Sequence, residues 1–255
     1  MIFISQIILG VFIPLFGTAI GGAAVFFLKK NLSVIFTDVL SAFAAGIMTA
    51  ASVWSLIIPA VERSAFMGRF AFFPAATGFI FGSIFMVLLN NFSKKLVKSG
   101  SEMQKLTTTV LAVTIHNFPE GMAVGTIYGA YLAGREDVAL AEAFVLSLGI
   151  AVQNIPEGAI ISMPLHAGGV SKFRSFFYGA LSGVVEPVGA ILTIFALNTA
   201  SALLPYLLTF AAGAMMFVVT EQLIPDIKDH GRVPVRALSF AAGFVLMMSL
   251  DVALS

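Results

Sequence analysis

The chain has 255 residues, 59% of them hydrophobic and 11% charged, with a mean hydropathy of +1.00. Soluble domains carry about 25% charged residues, and a water-soluble fold of this length could not hide so much apolar surface, so the composition points to an integral membrane protein. The net charge of +1 says nothing about nucleic acid, but no basic run resembles a nucleic-acid patch, so no nucleic-acid partner is expected; the absence of cysteine excludes disulfides, thiolate metal sites and a cysteine nucleophile.

A helix needs about 20 apolar residues to cross the hydrocarbon core. Cutting the chain at its charged clusters and turn residues gives eight spans, at 4–28, 39–61, 70–92, 106–134, 138–168, 175–198, 202–224 and 235–254. The first has no positively charged flank before it and is too long for a signal peptide, so it reads as a retained transmembrane helix. The eighth is the weakest, with Arg236 and Asp251 near its ends. Connections are short, which leaves residues 1–255 as a single transmembrane domain.

With eight spans both termini lie on one side. Of the fourteen Lys and Arg residues, eleven fall in the loops opposite the termini (Lys29, Lys30, Lys94, Lys95, Lys98, Lys105, Lys172, Arg174, Lys228, Arg232 and Arg236) and three (Arg63, Arg69 and Arg135) on the terminal side. Positively charged loops stay in the cytoplasm, so both termini are expected outside, in a multi-pass cell membrane protein.

Ionisable groups in mid-bilayer cost about 2.5 kcal/mol or more each and mark function by default. Glu120, Glu157 and Glu186 stand near the centres of the fourth, fifth and sixth spans. Three acids at one depth repel each other strongly and need cations or protons to coexist. The fourth span reads His116-Asn117-Phe118-Pro119-Glu120-Gly121 and the fifth Gln153-Asn154-Ile155-Pro156-Glu157-Gly158. The pattern thus occurs twice, on consecutive and antiparallel helices. In each copy the first residue and the Glu are i and i+4, and the Asn and the Glu i and i+3, so all three share a face. A mid-helix proline removes one backbone hydrogen bond, so Pro119 is expected to free the carbonyl of Ile115 and Pro156 that of Val152. Broken helices around a midplane site are a recurring construction in secondary transporters.

One imidazole, two or three carboxylates and several amides suit Zn²⁺, the first choice, and also Cd²⁺, Fe²⁺, Mn²⁺ or Co²⁺; Ca²⁺ and Mg²⁺ do not need His116, and Cu⁺ prefers sulfur. The doubled motif suits two ions bridged by the glutamates, or one ion passing between two subsites. His166, Glu221 and His230, at the inner ends of their spans, are candidate ligands on an exit path, while Glu142 reads as interfacial. Two charges moving through about 100 mV gain about 4.6 kcal/mol, and the chain has no phosphate-binding loop, so inward flux needs no ATP. An intramembrane metalloprotease would want a His-Glu-x-x-His pair, which is missing. The other alternative is a proton-linked carrier of an organic substrate that uses the midplane carboxylates.

The two hexapeptides resemble those of the ZIP (Zrt/Irt-like) metal-transporter family, and most closely its GufA-type prokaryotic branch. The run Ala51-Ser52-Val53-Trp54-Ser55-Leu56-Ile57-Ile58-Pro59-Ala60 is similar to the family's second helix, Gly183-Val184-Val185-Glu186-Pro187 to its sixth and Glu221-Gln222-Leu223-Ile224-Pro225 to its seventh. The resemblance covers the whole chain. It implies an all-α fold of eight helices in a 3+2+3 arrangement, with a binuclear metal site between helices 4, 5 and 6. One subsite would use His116, Glu120, Gln153 and Glu157, and the other Asn117, Glu120, Asn154, Glu157 and Glu186. It further implies metal movement into the cytoplasm by an elevator-like motion, a homodimer, and residence in a prokaryotic inner membrane. Two positions depart from the family pattern. Gln153, a neutral and weaker ligand, stands where many members have a second His, and the loop Ser93–Lys105 has no His where many members are His-rich.

Overall fold

The computed structural model of the chain describes residues 2–27, 33–96, 102–134, 138–199, 201–224 and 233–254. Every regular element among them is helical. Helix α1 (Ile2–Gly22) bends at Ala23 into α2 (Ala24–Phe27). Helix α3 (Val34–Ala51) starts at Ser33, whose Oγ accepts the backbone N–H of Phe36 at 3.2 Å. It runs through a π-helical turn (Ser52–Ile57) into α4 (Ile58–Arg63). Next come α5 (Phe72–Leu96), α6 (Glu102–Leu132) and α7 (Leu140–Ala167). Two glycines with left-handed backbone close the last two helices: Gly134, with φ of 70°, follows α6, and Gly169, with φ of 96°, follows α7. Then follow α8 (Lys172–Ser182), α9 (Val185–Thr199), α10 (Leu204–Val218), whose end is a second π turn (Val219–Leu223), and α11 (Val233–Leu254).

Seven helical stretches among the described residues are long and apolar enough to cross a membrane: Ser5–Phe27, Asp38–Arg63, Phe72–Phe92, Leu140–Ala167, Lys172–Leu197, Leu204–Glu221 and Val233–Ala253. Each overlies a span read from the sequence. The fourth predicted span falls on α6, which at 31 residues has the length to cross but is not among the seven. The chain is therefore a polytopic helical membrane protein. The expected breaks at Pro119 and Pro156 do not interrupt α6 or α7, which run through both prolines. One lost hydrogen bond is tolerated where packing clamps the helix on both sides. The discontinuity lies instead in the sixth span, where α8 stops at Ser182 and α9 begins at Val185.

The helices associate in four close pairs: α1 with α7, α3 with α11, α5 with α10, and α6 with α9. Glycine makes each pair. A Cβ on Gly17 would lie 2.2 Å from the carbonyl oxygen of Ala151, one on Gly46 2.1 Å from that of Phe240, one on Gly82 1.9 Å from that of Phe210, and one on Gly125 2.3 Å from that of Ala190. Facing glycines, Gly158, Gly243, Gly213 and Gly189, answer from the partner helices. In lipid there is no hydrophobic gain from bringing two apolar helices together, so backbone-to-backbone packing of small residues is the main attraction. The pairs assemble into two sets. Helix α1 packs with α6, α7, α8 and α9, while α3 and its π turn pack with α10 and α11, and α10 also with α5. Contacts of α6 with α10 and of α3 with α7 join the sets. The outer faces carry large apolar side chains such as Phe27, Leu238 and Phe195, as lipid contact requires.

Candidate functional site

A cluster of polar side chains is buried where α1, α6, α7 and α9 meet. Asn117 and Glu120 come from α6, Gln153, Asn154 and Glu157 from α7, and Glu186 from the first turn of α9; all are buried. The face-sharing spacing read in the hexapeptides brings Asn117 with Glu120 and Asn154 with Glu157. The antiparallel packing of α6 and α7 then sets the copies against each other: Gln153 Nε2 donates to Glu120 Oε1 at 2.8 Å. The third acid joins through the other amide, as Asn154 Nδ2 donates to Glu186 Oε1 at 3.0 Å. Glu120 lies within electrostatic range of both Glu157 and Glu186. Asn117 Nδ2 donates to the carbonyl of Ser182 at 3.3 Å, at the point where α8 gives way to α9. The break in the sixth span thus supplies an acceptor and turns Glu186 inward.

The donors in this cluster are used and several acceptors are not. Asn117 Oδ1, Glu120 Oε2, Gln153 Oε1, Asn154 Oδ1 and Glu186 Oε2 are buried without a hydrogen-bond partner. An orphaned buried acceptor costs about 1–3 kcal/mol, and five of them in one place, two on carboxylates, call for a positive guest. Exchanging the O and N of Gln153 or Asn154 would only point a carbonyl oxygen at a carboxylate. Among the described residues, no three His, Asp or Glu side chains converge closely enough to hold an ion by themselves; amides alternate with the acids.

Helix α1 contributes what the sequence reading missed. Thr18, fully buried, donates Oγ1–H to Glu186 Oε1 at 3.0 Å, and the carbonyl of Pro14 accepts from Asn154 Nδ2 at 3.4 Å. A hydroxyl in an apolar span gives no signal of its own, since threonine commonly bonds its own helix.

Of the remaining candidates, His166 and Glu221 stand outside the cluster's hydrogen bonds. His166 is half-buried at the end of α7, with Nδ1 at 2.9 Å from the Val170 carbonyl, and Glu221 is exposed on the second π turn. The His116 side chain and all of His230 lie outside the described residues, although the His116 backbone continues α6 one turn before Glu120. Glu142, read as interfacial, borders a cavity of about 240 Å³ with Trp54, Ser55, Glu62, Arg63 and Asp251; Ile127 and Leu146 also line it. Ile127 is seven residues beyond Glu120 on α6, and Leu146 seven before Gln153 on α7, about 10 Å in each case. Val124, Ile127, Leu146 and Ile150 are buried in one apolar core, and their positions along α6 and α7 put them between cavity and cluster.

A family model described as the ZIP zinc transporter matches residues 106–251, a stretch that holds both hexapeptides and Glu186. The chain belongs to the ZIP family. It is 34% identical over 330 aligned residues to the zinc transporter ZIP11 of Xenopus tropicalis, with 98% of each chain covered. To the zinc transporter GufA of Myxococcus xanthus it is 35% identical over 211 residues, covering 79% of this chain and 80% of that protein. Zinc transporter ZIPB of Bordetella bronchiseptica is 31% identical over 247 residues, with 93% and 77% covered. The likeness to GufA puts the chain with the GufA-type branch. The alignment with the frog ZIP protein is longer than the 255 residues of this chain, so that relative carries insertions absent here. ZIP proteins are transporters, and the chain is accordingly not an enzyme.

Proposed function

We propose that this ZIP protein carries Zn²⁺ across a cell membrane into the cytoplasm through the buried cluster of α6, α7 and α9. The observation that carries the reading is the set of five orphaned acceptor oxygens on α6, α7 and α9, two of them on carboxylates, a lining that suits a divalent cation. Zinc is preferred over Cd²⁺, Fe²⁺, Mn²⁺ or Co²⁺ because the relatives are named zinc transporters; the donor set itself accepts all five.

In this reading residues 1–255 form one domain of eight spans in a 3+2+3 arrangement, with α6 as the fourth, both termini outside, in a homodimer at a prokaryotic inner membrane. His116, Glu120, Gln153 and Glu157 form one subsite. Asn117, Glu120, Asn154, Glu157 and Glu186 form the other, and Glu120 and Glu157 bridge the two ions. The cavity bordered by Glu62, Glu142 and Asp251 receives the hydrated ion from outside. The apolar layer of Val124, Ile127, Leu146 and Ile150 must part before the ion reaches the carboxylates, which replace its water. Release follows toward His166, Glu221 and His230. The division of helices into two sets supports an elevator-like step, in which the set holding the cluster slides against the set of α3, α5, α10 and α11.

The test is zinc and cadmium uptake into proteoliposomes by the wild type and by the double variant Glu120→Ala, Glu157→Ala. Uptake by the wild type, abolished in a double variant that still elutes as a folded protein, is expected. Equal uptake by the two proteins, or none by a folded wild type, overturns the reading.

A further inference from the structure

We infer that Thr18 is a positioning residue for metal binding: it holds one oxygen of Glu186 so that the other faces the ion. This rests on the transport reading above and adds a residue from α1 to it.

Glu186 Oε1 accepts two hydrogen bonds, one from Thr18 Oγ1 and one from Asn154 Nδ2, each 3.0 Å long. Glu186 Oε2 is buried and accepts none. With one oxygen fixed from two directions, the carboxylate cannot turn about its terminal torsion, a broad and otherwise soft rotation. The free oxygen is therefore aimed before the ion arrives. Hydrogen bonding also explains why Thr18 is not simply a helix-bonding threonine: its distance to the Pro14 carbonyl one turn back, 3.4 Å, is longer than that to Glu186. The surroundings reserve room for this contact. A Cβ on Gly183 would come within 2.9 Å of Thr18 Oγ1 and 3.0 Å of Glu186 Oε1, so at this residue only glycine leaves the hydroxyl and the carboxylate together without a shift. Gly183 is also where α8 ends, and the Glu186 N–H bonds back to its carbonyl at 3.0 Å. Partners that orient a metal ligand are worth about 10- to 100-fold in affinity.

The experiment compares T18V, which keeps the shape and removes the donor, with T18S, which keeps the donor and removes a methyl group. Zinc uptake into proteoliposomes is measured over a range of zinc concentrations for both, alongside unfolding temperature without metal. T18V is expected to raise the zinc concentration for half-maximal uptake about tenfold, with a smaller change in maximal rate, while T18S stays near the wild type. On an E186A background T18V is expected to add nothing further. A T18V protein that transports like the wild type overturns the role, as does the reverse ranking with T18S the worse, which is the signature of packing alone. An added loss from T18V in the E186A protein overturns it as well. These outcomes are all read against a wild type that takes up zinc; a wild type that takes up none overturns the transport reading itself.

Discussion

At the residue scale, Gln153 stands at the centre of the proposed metal site. Its amide has two ends with opposite functions: Nε2 donates to Glu120 Oε1 at 2.8 Å, and Oε1 is left among the orphaned acceptors. The side chain thus steadies a carboxylate while offering a neutral oxygen, where an imidazole would offer a stronger nitrogen ligand for zinc. Gln153→His is expected to lower the apparent Kd for Zn²⁺ about tenfold, which is about 1.4 kcal/mol, as read from the zinc-dependent rise in unfolding temperature. No tightening would mean that the steadying of Glu120 outweighs the ligand. The spacing of Asn117, Glu120, Gln153, Asn154 and Glu157 was legible because identical hexapeptide patterns on adjacent helices are a local property of the chain. Thr18 was not legible, because its partner is 168 residues away and nothing in its own helix marks it.

At the scale of elements, close approach is set by glycine. Helices α6 and α9 meet where a Cβ on Gly125 would lie 2.3 Å from the Ala190 carbonyl, and α3 and α11 where one on Gly243 would lie 2.2 Å from the Phe43 carbonyl. Backbone cannot yield as a flexible side chain would, so Gly125→Ala and Gly243→Ala are each expected to destabilise the fold by about 1–3 kcal/mol. Gly22 is the contrast: its nearest neighbour, the Phe176 carbonyl, would be at 3.4 Å, an ordinary contact, and Gly22→Ala should stay within about 0.5 kcal/mol. Thermal unfolding in detergent ranks the three; equal effects would refute the packing account. Hydropathy anticipates such helices but not their irregularities. The prolines at 119 and 156 suggested breaks, yet the helices run on, and the breaks fall at Gly183–Val184 and in the π turns Ser52–Ile57 and Val219–Leu223. Those π turns abut the opposing helices, the first against α10 and the second against α3. An extra residue in a turn is set by what the helix packs on, which a single-helix pattern does not contain.

For the whole molecule, the proposed orientation has a direct test. The chain contains no cysteine, so single introduced thiols report cleanly. Phe66, between the second and third spans, and Phe173, at the start of α8, are exposed and lie on opposite sides in the proposed topology. Phe66→Cys is expected to react with a membrane-impermeant maleimide on intact cells, and Phe173→Cys only after permeabilisation. The opposite pattern would invert the proposed topology. The sign of the charge asymmetry carries this prediction, since Lys and Arg near short loops resist translocation.

The sequence by itself determined the membrane class, the position of the apolar helices, the doubled acid-and-amide motif and the ZIP resemblance. Each of these is written in composition or in local spacing, and lipid, as a uniform apolar solvent, reads composition directly. The tertiary structure alone decided which helices pair, that α1 supports Glu186 through Thr18 and Asn154 through the Pro14 carbonyl, that the sixth span breaks before Glu186, and that apolar side chains lie between the cluster and the cavity bordered by Glu142. Those are contacts between residues far apart in the chain. They follow from how glycine-bearing faces dock on one another, and docking depends on the partner surface as much as on the helix that carries the pattern.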